Sequence, residues 1–226
     1  MLTACGDPVS GSYHAPGAGD AGALPLPATC QEIAGALPRI ADGERTLYLG
    51  HDAARPWTAY CHDMAGAPAE YLPLVQTGPS HNYSQYTVGG AVKGTSVITA
   101  YTRLRIDPRT LLVNIADQRF SSSSGMLMES GGFSVISMPY GVASNCGGTT
   151  GRGNIDLRGT RFAVTPDAFT VGGYMPYGDA AYASGDRVVE LSGGGYCGWL
   201  VPLPGLFAPI NQNGDFQLSL AYIDQN

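Results

Sequence analysis

The chain has little charge and almost no lysine. Only 13% of its 226 residues are charged, and Lys93 is the one lysine, which leaves eleven arginines among the 12 basic residues. No basic run occurs, and the formal net charge is −6, so we do not expect a nucleic-acid partner. No apolar run approaches the roughly 20 residues that a membrane-spanning helix needs. Any membrane association must then come from another source.

Several signatures of catalytic and metal sites are also missing. The chain has no H-E-x-x-H motif, which would place two histidines on zinc beside a glutamate base. It has no G-x-S-x-G nucleophile elbow and no C-x-x-C pair. We therefore expect a non-catalytic protein without a cofactor.

Glycine, proline and tyrosine are abundant instead. The chain contains 32 Gly, 16 Pro and 13 Tyr, and glycine clusters separate short segments of β-branched, aromatic and aliphatic residues. Many short strands divided by glycine-rich turns are typical of an antiparallel, mainly β domain. The fold expected is mainly β, with one short N-terminal helix.

The N-terminal segment has a different composition. Cys5 lies in Leu-Thr-Ala-Cys-Gly, a sequence that resembles a bacterial lipobox, in which the cysteine receives a lipid. The following residues are rich in Gly, Ala and Pro, as in a flexible linker. We expect residues 1–28 to be a lipobox remnant and linker, residues 29–226 to be one domain, and contact with a membrane to occur only through a lipid anchor at Cys5.

Four further cysteines, Cys30, Cys61, Cys146 and Cys197, are widely spaced. Outside the cytoplasm, such a set predicts two disulfides, with three possible connectivities. Sequential pairing closes the shortest loops. Cys146 precedes two glycines and could also be drawn as a thiol nucleophile, but an oxidising environment favours the disulfide interpretation.

Local patterns predict the secondary structure. Thr29 and Glu32 have the spacing of a capping box at a helix N-terminus; Ile33 and Leu37 follow on one face, and Pro38 ends the helix. Alternation of apolar and polar residues predicts strands, of which 99–107 is the most regular. The predicted strands are 44–49, 57–61, 71–75, 99–107, 111–116, 133–138, 154–157, 161–164, 187–191 and 216–223. The type I turn at 107–110 joins the fourth and fifth into a hairpin.

Seven short stretches carry a family resemblance through their order and spacing. They are residues 30–33, 42–43 with 46–47, 60–64, 68–74, 82–86, 154–160 and 194–198. Together they resemble the GON domain, a module found at the C-terminus of some secreted zinc metalloproteases with thrombospondin motifs (the ADAMTS group), and alone in some bacterial proteins.

The resemblance implies a disulfide-linked extracytoplasmic module, either on the cell envelope or secreted. It favours the pairs Cys30–Cys61 and Cys146–Cys197, because the extra cysteines of the animal domains are absent here. Zinc enters only through the family's association with metalloproteases, whose catalytic domain is a separate one. The resemblance also suggests an accessory role beside a secreted metalloprotease.

Two groups of residues are candidates for a site. Tyr174, Tyr177 and Tyr182 alternate with glycine and small residues in 172–182, which suits a surface that binds a protein or a polysaccharide; packing over the core is the alternative. A second group, His51, His62, Glu70 and His81, could converge on a metal as a cryptic hydrolase site, although its spacing does not indicate one. The function expected is non-catalytic recognition or adhesion, with a protein or polysaccharide as the unidentified partner.

Overall fold

The structure is a computed structural model that describes residues 26–87, 93–128, 134–203 and 217–224. Cys5 and most of the predicted linker lie outside the described residues. Within these ranges the chain forms two sheets of mainly antiparallel strands and one short α-helix. This confirms the predicted fold class, while the division into linker and domain stays a prediction.

The helix α1, Cys30–Ala36, begins where the capping residues predict. The Thr29 hydroxyl accepts a hydrogen bond from the Glu32 amide at 3.2 Å. The Glu32 carboxylate accepts one from the amide of Ala28 at 2.7 Å, one residue earlier than in a standard capping box. Of the two residues predicted to form the apolar face, Ile33 is buried. Leu37 is the C-cap of the helix and is 56% exposed.

The first sheet has seven strands in the order β1-β2-β3-β6-β7-β17-β12, all antiparallel. Their bounds are β1 Gly43–Tyr48, β2 Pro56–His62, β3 Ala69–Pro73, β6 Arg103–Asp107, β7 Leu112–Asn114, β12 Phe162–Val164 and β17 Gln217–Tyr222. A short 3-10 helix, Leu49–His51, links β1 to β2. Strand β17 separates β7 from β12, so the sheet combines strands from both ends of the described chain.

The second sheet has ten strands. Seven follow the order β13-β16-β10-β4-β11-β15-β14, while β5 pairs with β4 and then leads through β8 to β9. Only β4 and β10 run parallel among the pairs found. The bounds are β4 Tyr83–Thr87, β5 Lys93–Tyr101, β8 Ser121–Met128, β9 Ser134–Val135, β10 Ala143–Cys146, β11 Gly151–Asp156, β13 Phe169–Gly173, β14 Tyr177–Ala183, β15 Val188–Gly194 and β16 Tyr196–Pro202.

The ten-stranded sheet folds back on itself. Strands β13 and β14 lie at opposite ends of its seven-strand path, yet only residues 174–176 separate them. Across the fold, Gly193 of β15 packs on β10 and β16, and a Cβ on Gly193 would lie 2.7 Å from both the Ala143 oxygen and the Leu200 nitrogen. Only glycine permits this approach of two backbones.

The predicted strand 99–107 is wrong as a single element. The chain leaves the ten-stranded sheet at Tyr101 and enters the seven-stranded sheet at Arg103, with the exposed Thr102 between them. Tyr101 and Leu104 are both buried, although strict alternation would place them on opposite faces. The sequence still alternates between apolar and polar residues, because the strand before Thr102 and the strand after it each have one buried face.

Other boundaries also differ from the predictions. Strand β3 ends at Pro73, so 74–75 are not extended partners in the sheet, and the segment predicted at 133–138 pairs only at Ser134–Val135; residue 133 lies outside the described residues. The predicted hairpin of β6 and β7 is confirmed, with Ile106 opposite Val113.

One hydrophobic core lies between the two sheets. It includes Trp57 and Leu104 from the seven-stranded sheet and Ile155 and Val189 from the ten-stranded sheet, all at most 2% exposed. Full burial of a side chain of this size contributes roughly 1.5–3 kcal/mol. The ring of Phe162 meets Trp57 edge-on, with centroids 5.4 Å apart.

Candidate recognition site

The turn between β13 and β14 meets the first residue of β16 at the surface of the ten-stranded sheet. It presents a group that we call the aromatic tip, which consists of Tyr174, Met175, Tyr177 and Tyr196. Tyr196, Met175 and Tyr174 are 71%, 68% and 67% exposed, and Tyr177 is 45% exposed. The first three are the most exposed large apolar side chains among the described residues.

The two outermost rings of the tip form a fixed pair. Tyr174 and Tyr196 meet at right angles, with ring centroids 6.2 Å apart, an edge-to-face geometry that aromatic rings prefer. Their hydroxyls have no hydrogen-bond partner among the described residues. The tip therefore offers apolar ring faces together with free hydroxyl groups.

Backbone hydrogen bonds hold the tip in place. The Tyr196 amide donates to the Tyr174 oxygen at 2.9 Å, and the Tyr174 amide donates to the Cys197 oxygen at 3.2 Å. Gly195, which precedes Tyr196, packs against the β13–β14 turn. A Cβ on Gly195 would lie 2.7 Å from the carbonyl oxygens of both Tyr174 and Met175. A glycine is thus required where the two segments cross.

Asn145 supports the tip from beneath. Its side chain is 1% exposed; its Oδ1 accepts from the Gly195 amide at 2.7 Å, and its Nδ2 donates to the Tyr177 hydroxyl at 3.1 Å. The hydroxyl of Thr150 lies 3.1 Å from the same tyrosine oxygen. A satisfied buried amide of this kind fixes both segments that carry the exposed rings.

The disulfide Cys146–Cys197 joins β10 to β16 beside the tip. Cys197 is exposed and has a backbone φ of 83°, a left-handed conformation that is uncommon outside glycine. The bridge and the neighbouring hydrogen bonds keep this residue in place. The tip is therefore positioned before any ligand arrives.

The predicted set Tyr174, Tyr177 and Tyr182 is only partly brought together. Tyr182 is half-buried, its ring packs against Phe169, and its hydroxyl lies 3.3 Å from both the Ala168 amide, which donates to it, and the Thr165 oxygen, which accepts from it. Tyr182 therefore packs on the core and does not extend the exposed surface. Sequence reasoning missed Met175 and Tyr196.

A comparison with known families finds a match in the first part of the described chain. Residues 27–95 match the family model of the GON domain. The match confirms the resemblance, and it spans α1, strands β1 to β4 and the start of β5. No curated protein and no solved structure matches the chain.

The second disulfide, Cys30–Cys61, lies within the matched GON segment. It joins α1 to β2, both sulfurs' residues are 0% exposed, and the Cα atoms are 5.5 Å apart. Both bridges have the pairing that the resemblance favours. The GON domain is an extracellular module, and two disulfides agree with an oxidising environment; together they suggest that the matched segment belongs to an extracellular domain. No helix of the described residues is long and apolar enough to cross a membrane.

The GON motif residues Asp42 and His62 form a structural clamp. The Asp42 carboxylate accepts hydrogen bonds from the amides of Met64 at 2.8 Å and Asp63 at 2.9 Å, and His62 Nδ1 lies 2.9 Å away. The two amide bonds, and then His62, lower the pKa of Asp42. These contacts tie the start of β1 to the turn after β2, which explains why an Asp-Gly pair accompanies the Tyr-Cys-His-Asp-Met stretch.

The four residues weighed as an alternative metal group each contact other partners. His62 contacts Asp42, and His51 lies 3.7 Å from Glu32. His81 lies 3.1 Å from Asp156. Glu70 instead accepts the Cys30 amide at 2.6 Å, and burial raises its pKa. In the described ranges no three His, Cys, Asp or Glu residues converge as a metal site would require.

A buried polar network lies where residues 82 and 154–158 of the resemblance meet. Asn82 is 0% exposed. Its side-chain Nδ2 donates to the main-chain oxygens of Gln76 at 2.7 Å and Asp156 at 2.8 Å. Its main-chain amide donates to Asn154 Oδ1 at 3.0 Å. The Tyr140 hydroxyl donates to Asn82 Oδ1. Since each group has partners, the network organises the fold instead of presenting reactive groups.

Asp156 carries the charge of this network. Burial opposes its ionisation, but hydrogen bonds from the Arg158 side chain and amide outweigh burial, and the pKa of Asp156 is lowered. Arg158 Nε donates to Oδ1 at 2.9 Å, and Arg158 also binds Oδ2. His81 Nδ1 lies 3.1 Å from the same Oδ2. Both carboxylate oxygens of Asp156 thus have partners within the fold.

Proposed function

We propose that the chain is a non-catalytic recognition domain that is displayed on the cell envelope and binds a protein or polysaccharide through the aromatic tip. The observation that carries this proposal is the cluster of three large side chains, each at least 67% exposed: Tyr174 and Met175 on the β13–β14 turn, and Tyr196 at the start of β16. Exposed large apolar groups that form a contiguous patch mark interaction sites.

The chemistry of the tip suits binding more than catalysis. Tyrosine gives a large amphipathic contact area with few rotatable bonds, and both proteins and sugars can be bound by its ring face. Because backbone hydrogen bonds and Cys146–Cys197 already order the turn, little entropy is lost on binding.

Envelope display rests on the sequence of the N-terminal segment. A lipid on Cys5 and a linker rich in Gly, Ala and Pro would hold the domain away from the membrane surface. Mass spectrometry of protein purified from its native membrane tests this part, because an unmodified Cys5 thiol would contradict it.

The test of recognition is a double variant, Tyr174→Ser with Tyr196→Ser, in the full chain. Glycan arrays and cross-linking to envelope proteins find the ligand of the wild-type protein, and the same assays then measure the variant. Loss of two central aromatic contacts should weaken binding at least about tenfold. Capture of a secreted metalloprotease would favour the accessory role among the protein partners.

The matched control is Leu37→Ser with Val75→Ser. These residues are 56% and 59% exposed and lie on α1's C-terminus and after β3, away from the turn that forms the tip. The control should bind like the wild type. Equal losses in the two double variants would sink the assignment to the tip.

A further inference from the structure

A cavity of about 430 Å³ lies at one end of the seven-stranded sheet. Its walls come from the start of α1, the 3-10 helix, the residue before β2 and the turn between β6 and β7. The charged or ionisable side chains in its lining are Glu32, His51, Arg55 and Arg109. The volume falls within the range of small-molecule sites.

The cavity has an excess of positive charge in a chain of net charge −6. Neither Arg55 nor Arg109 forms an ion pair with a carboxylate of the described residues. The one acidic residue of the lining, Glu32, already accepts from the Ala28 amide and lies 3.7 Å from His51. The lining thus contains two arginines that have no ion pair among the described residues, against one carboxylate.

Arg55 is held in position by an aromatic platform. Its guanidinium carbon lies 5.0 Å from the ring centroid of Tyr222, within the range of a cation-π contact. That ring is itself fixed, because its hydroxyl donates to the Pro56 oxygen at 3.0 Å and its edge meets Phe162 at 5.9 Å. Stacking leaves the N–H groups of the arginine free for an oxyanion.

Arg109 is presented by a tight turn. Its amide donates to Asp107 Oδ1 at 2.8 Å, and the amide of Leu111 donates to the Asp107 oxygen at 2.8 Å. The side chain of Arg109 is exposed and belongs to the cavity lining. The two arginines therefore come to the cavity from different segments, the residue before β2 and the β6–β7 turn.

Some other arginines of the described chain, unlike Arg55 and Arg109, have carboxylate partners. Arg158 binds Asp156, and Arg105 lies 3.7 Å from Asp117. The neighbouring cavity of about 420 Å³ also has two arginines in its lining, Arg105 and Arg109, but the carboxylates of Glu70 and Asp107 balance their charge. The first cavity has two arginines against the single carboxylate of Glu32, and its apolar walls come from Leu49, Pro108 and Leu111.

We propose that this cavity binds the carboxylate or phosphate group of a small ligand of about monosaccharide size, with Arg55 and Arg109 contacting the anion. Fork-shaped guanidinium groups match both oxyanions. The apolar walls contact the body of the ligand. This site is separate from the aromatic tip and does not depend on the function proposed for it.

The test is calorimetric titration of the full chain at low salt with three probes: D-glucuronate, inorganic phosphate and neutral D-glucose. The two anions should bind and glucose should not. Tighter binding of glucuronate assigns the site to a carboxylate ligand, and tighter binding of phosphate assigns it to a phosphate ligand. Binding of neither anion at about 10 mM, the weak end of measurable affinity, would overturn the proposal.

Variants then locate the site. Arg55→Gln and Arg109→Gln should each lower the affinity for the preferred anion at least about tenfold, because a charge-assisted hydrogen bond is lost. Arg103→Gln is the matched control: its guanidinium also stacks on rings, 4.0 Å from Tyr60 and 4.7 Å from Phe120, but it does not line the cavity. An equal loss in Arg103→Gln would show non-specific charge attraction and overturn the assignment. Arg109→Gln keeps the test valid if Arg55→Gln fails to fold, since Arg109 is exposed.

Discussion

The two disulfides lie in different surroundings, one in each half of the molecule. Cys30–Cys61 lies in the core beneath the seven-stranded sheet, with both residues 0% exposed, whereas Cys146–Cys197 reaches the surface of the ten-stranded sheet, where Cys197 is exposed. The first fixes a helix on the core, and the second fixes a turn that carries exposed rings. One type of bond thus stabilises the fold in one half and orders a surface in the other.

Loop length and burial predict opposite rankings for the stability that these two bridges contribute. The sequence separations are 31 and 51 residues, so the chain-entropy model gives each about 4 kcal/mol, with slightly more for Cys146–Cys197. Burial adds a cavity cost only where the sulfurs lie in the core.

The largest expected effect comes from Cys30→Ala with Cys61→Ala. We expect the free energy of unfolding to fall by about 5–6 kcal/mol, because the cavity cost adds to the lost loop constraint. Cys146→Ala with Cys197→Ala should cost about 4 kcal/mol. Urea unfolding of both double variants measures the difference, and a larger loss at Cys146–Cys197 would show that loop entropy outweighs burial.

A second, smaller effect is expected from Asp156→Asn, in the network near the junction of the two sheets. Removal of the charge leaves the partly exposed Arg158 without its partner, and about 2 kcal/mol of stability should be lost at neutral pH. The pKa of Asp156 is lowered on folding, so its contribution is present above the unfolded value of about 3.9 and is lost as the pH falls through the folded value.

The pH profile gives the check on this network. Wild-type and Asp156→Asn unfolding curves should differ by a constant amount from pH 7 down to about 5 and converge below about pH 4. Arg105→Gln is a suitable control, since Arg105 pairs with Asp117 at the surface and such pairs contribute at most about 1 kcal/mol. A difference that persists unchanged in acid would mean that the ion pair is not its source.

The smallest effect on stability is expected at the aromatic tip. Tyr174→Ser with Tyr196→Ser should change the free energy of unfolding by less than about 1 kcal/mol, because both rings are mostly exposed. Thermal unfolding measures this change. A loss above about 2 kcal/mol would mean that the ring pair supports the fold, and the contrast between the two halves would then fail.

Parts of this arrangement could be predicted from local patterns. The helix N-terminus at Thr29, the hairpin of β6 and β7, and the strand at Gln217–Tyr222 follow from capping, turn and alternation signals, which act over a few residues. The change of sheet at Thr102 has no such signal, because alternation does not record which sheet a strand joins. The serines of β8 gave no apolar pattern, since residues 122–126 are exposed.

The site was predictable only in part, for a related reason. Tyr174 and Tyr177 stand out among glycines in the sequence, but Tyr196 is 22 residues from Tyr174 and meets it only through the pairing of β13 and β16. In the sequence, the tyrosine before Cys197 is part of the disulfide motif, and no local pattern links it to Tyr174. Likewise, Asn82 begins an Asn-x-Ser glycosylation pattern, yet its amide nitrogen is buried and bonded to Gln76 and Asp156.

The position of β17 has a consequence for the order in which the molecule can be made. Residues 217–222 lie between β7 and β12, so the sheet that begins with β1 is completed only after residue 222 has been synthesised. A chain that emerges with its N-terminus first therefore has open strand edges until residues 217–222 have been added. This order is compatible with transport of the unfolded chain across a membrane, because the sheet cannot be completed before β17 is present.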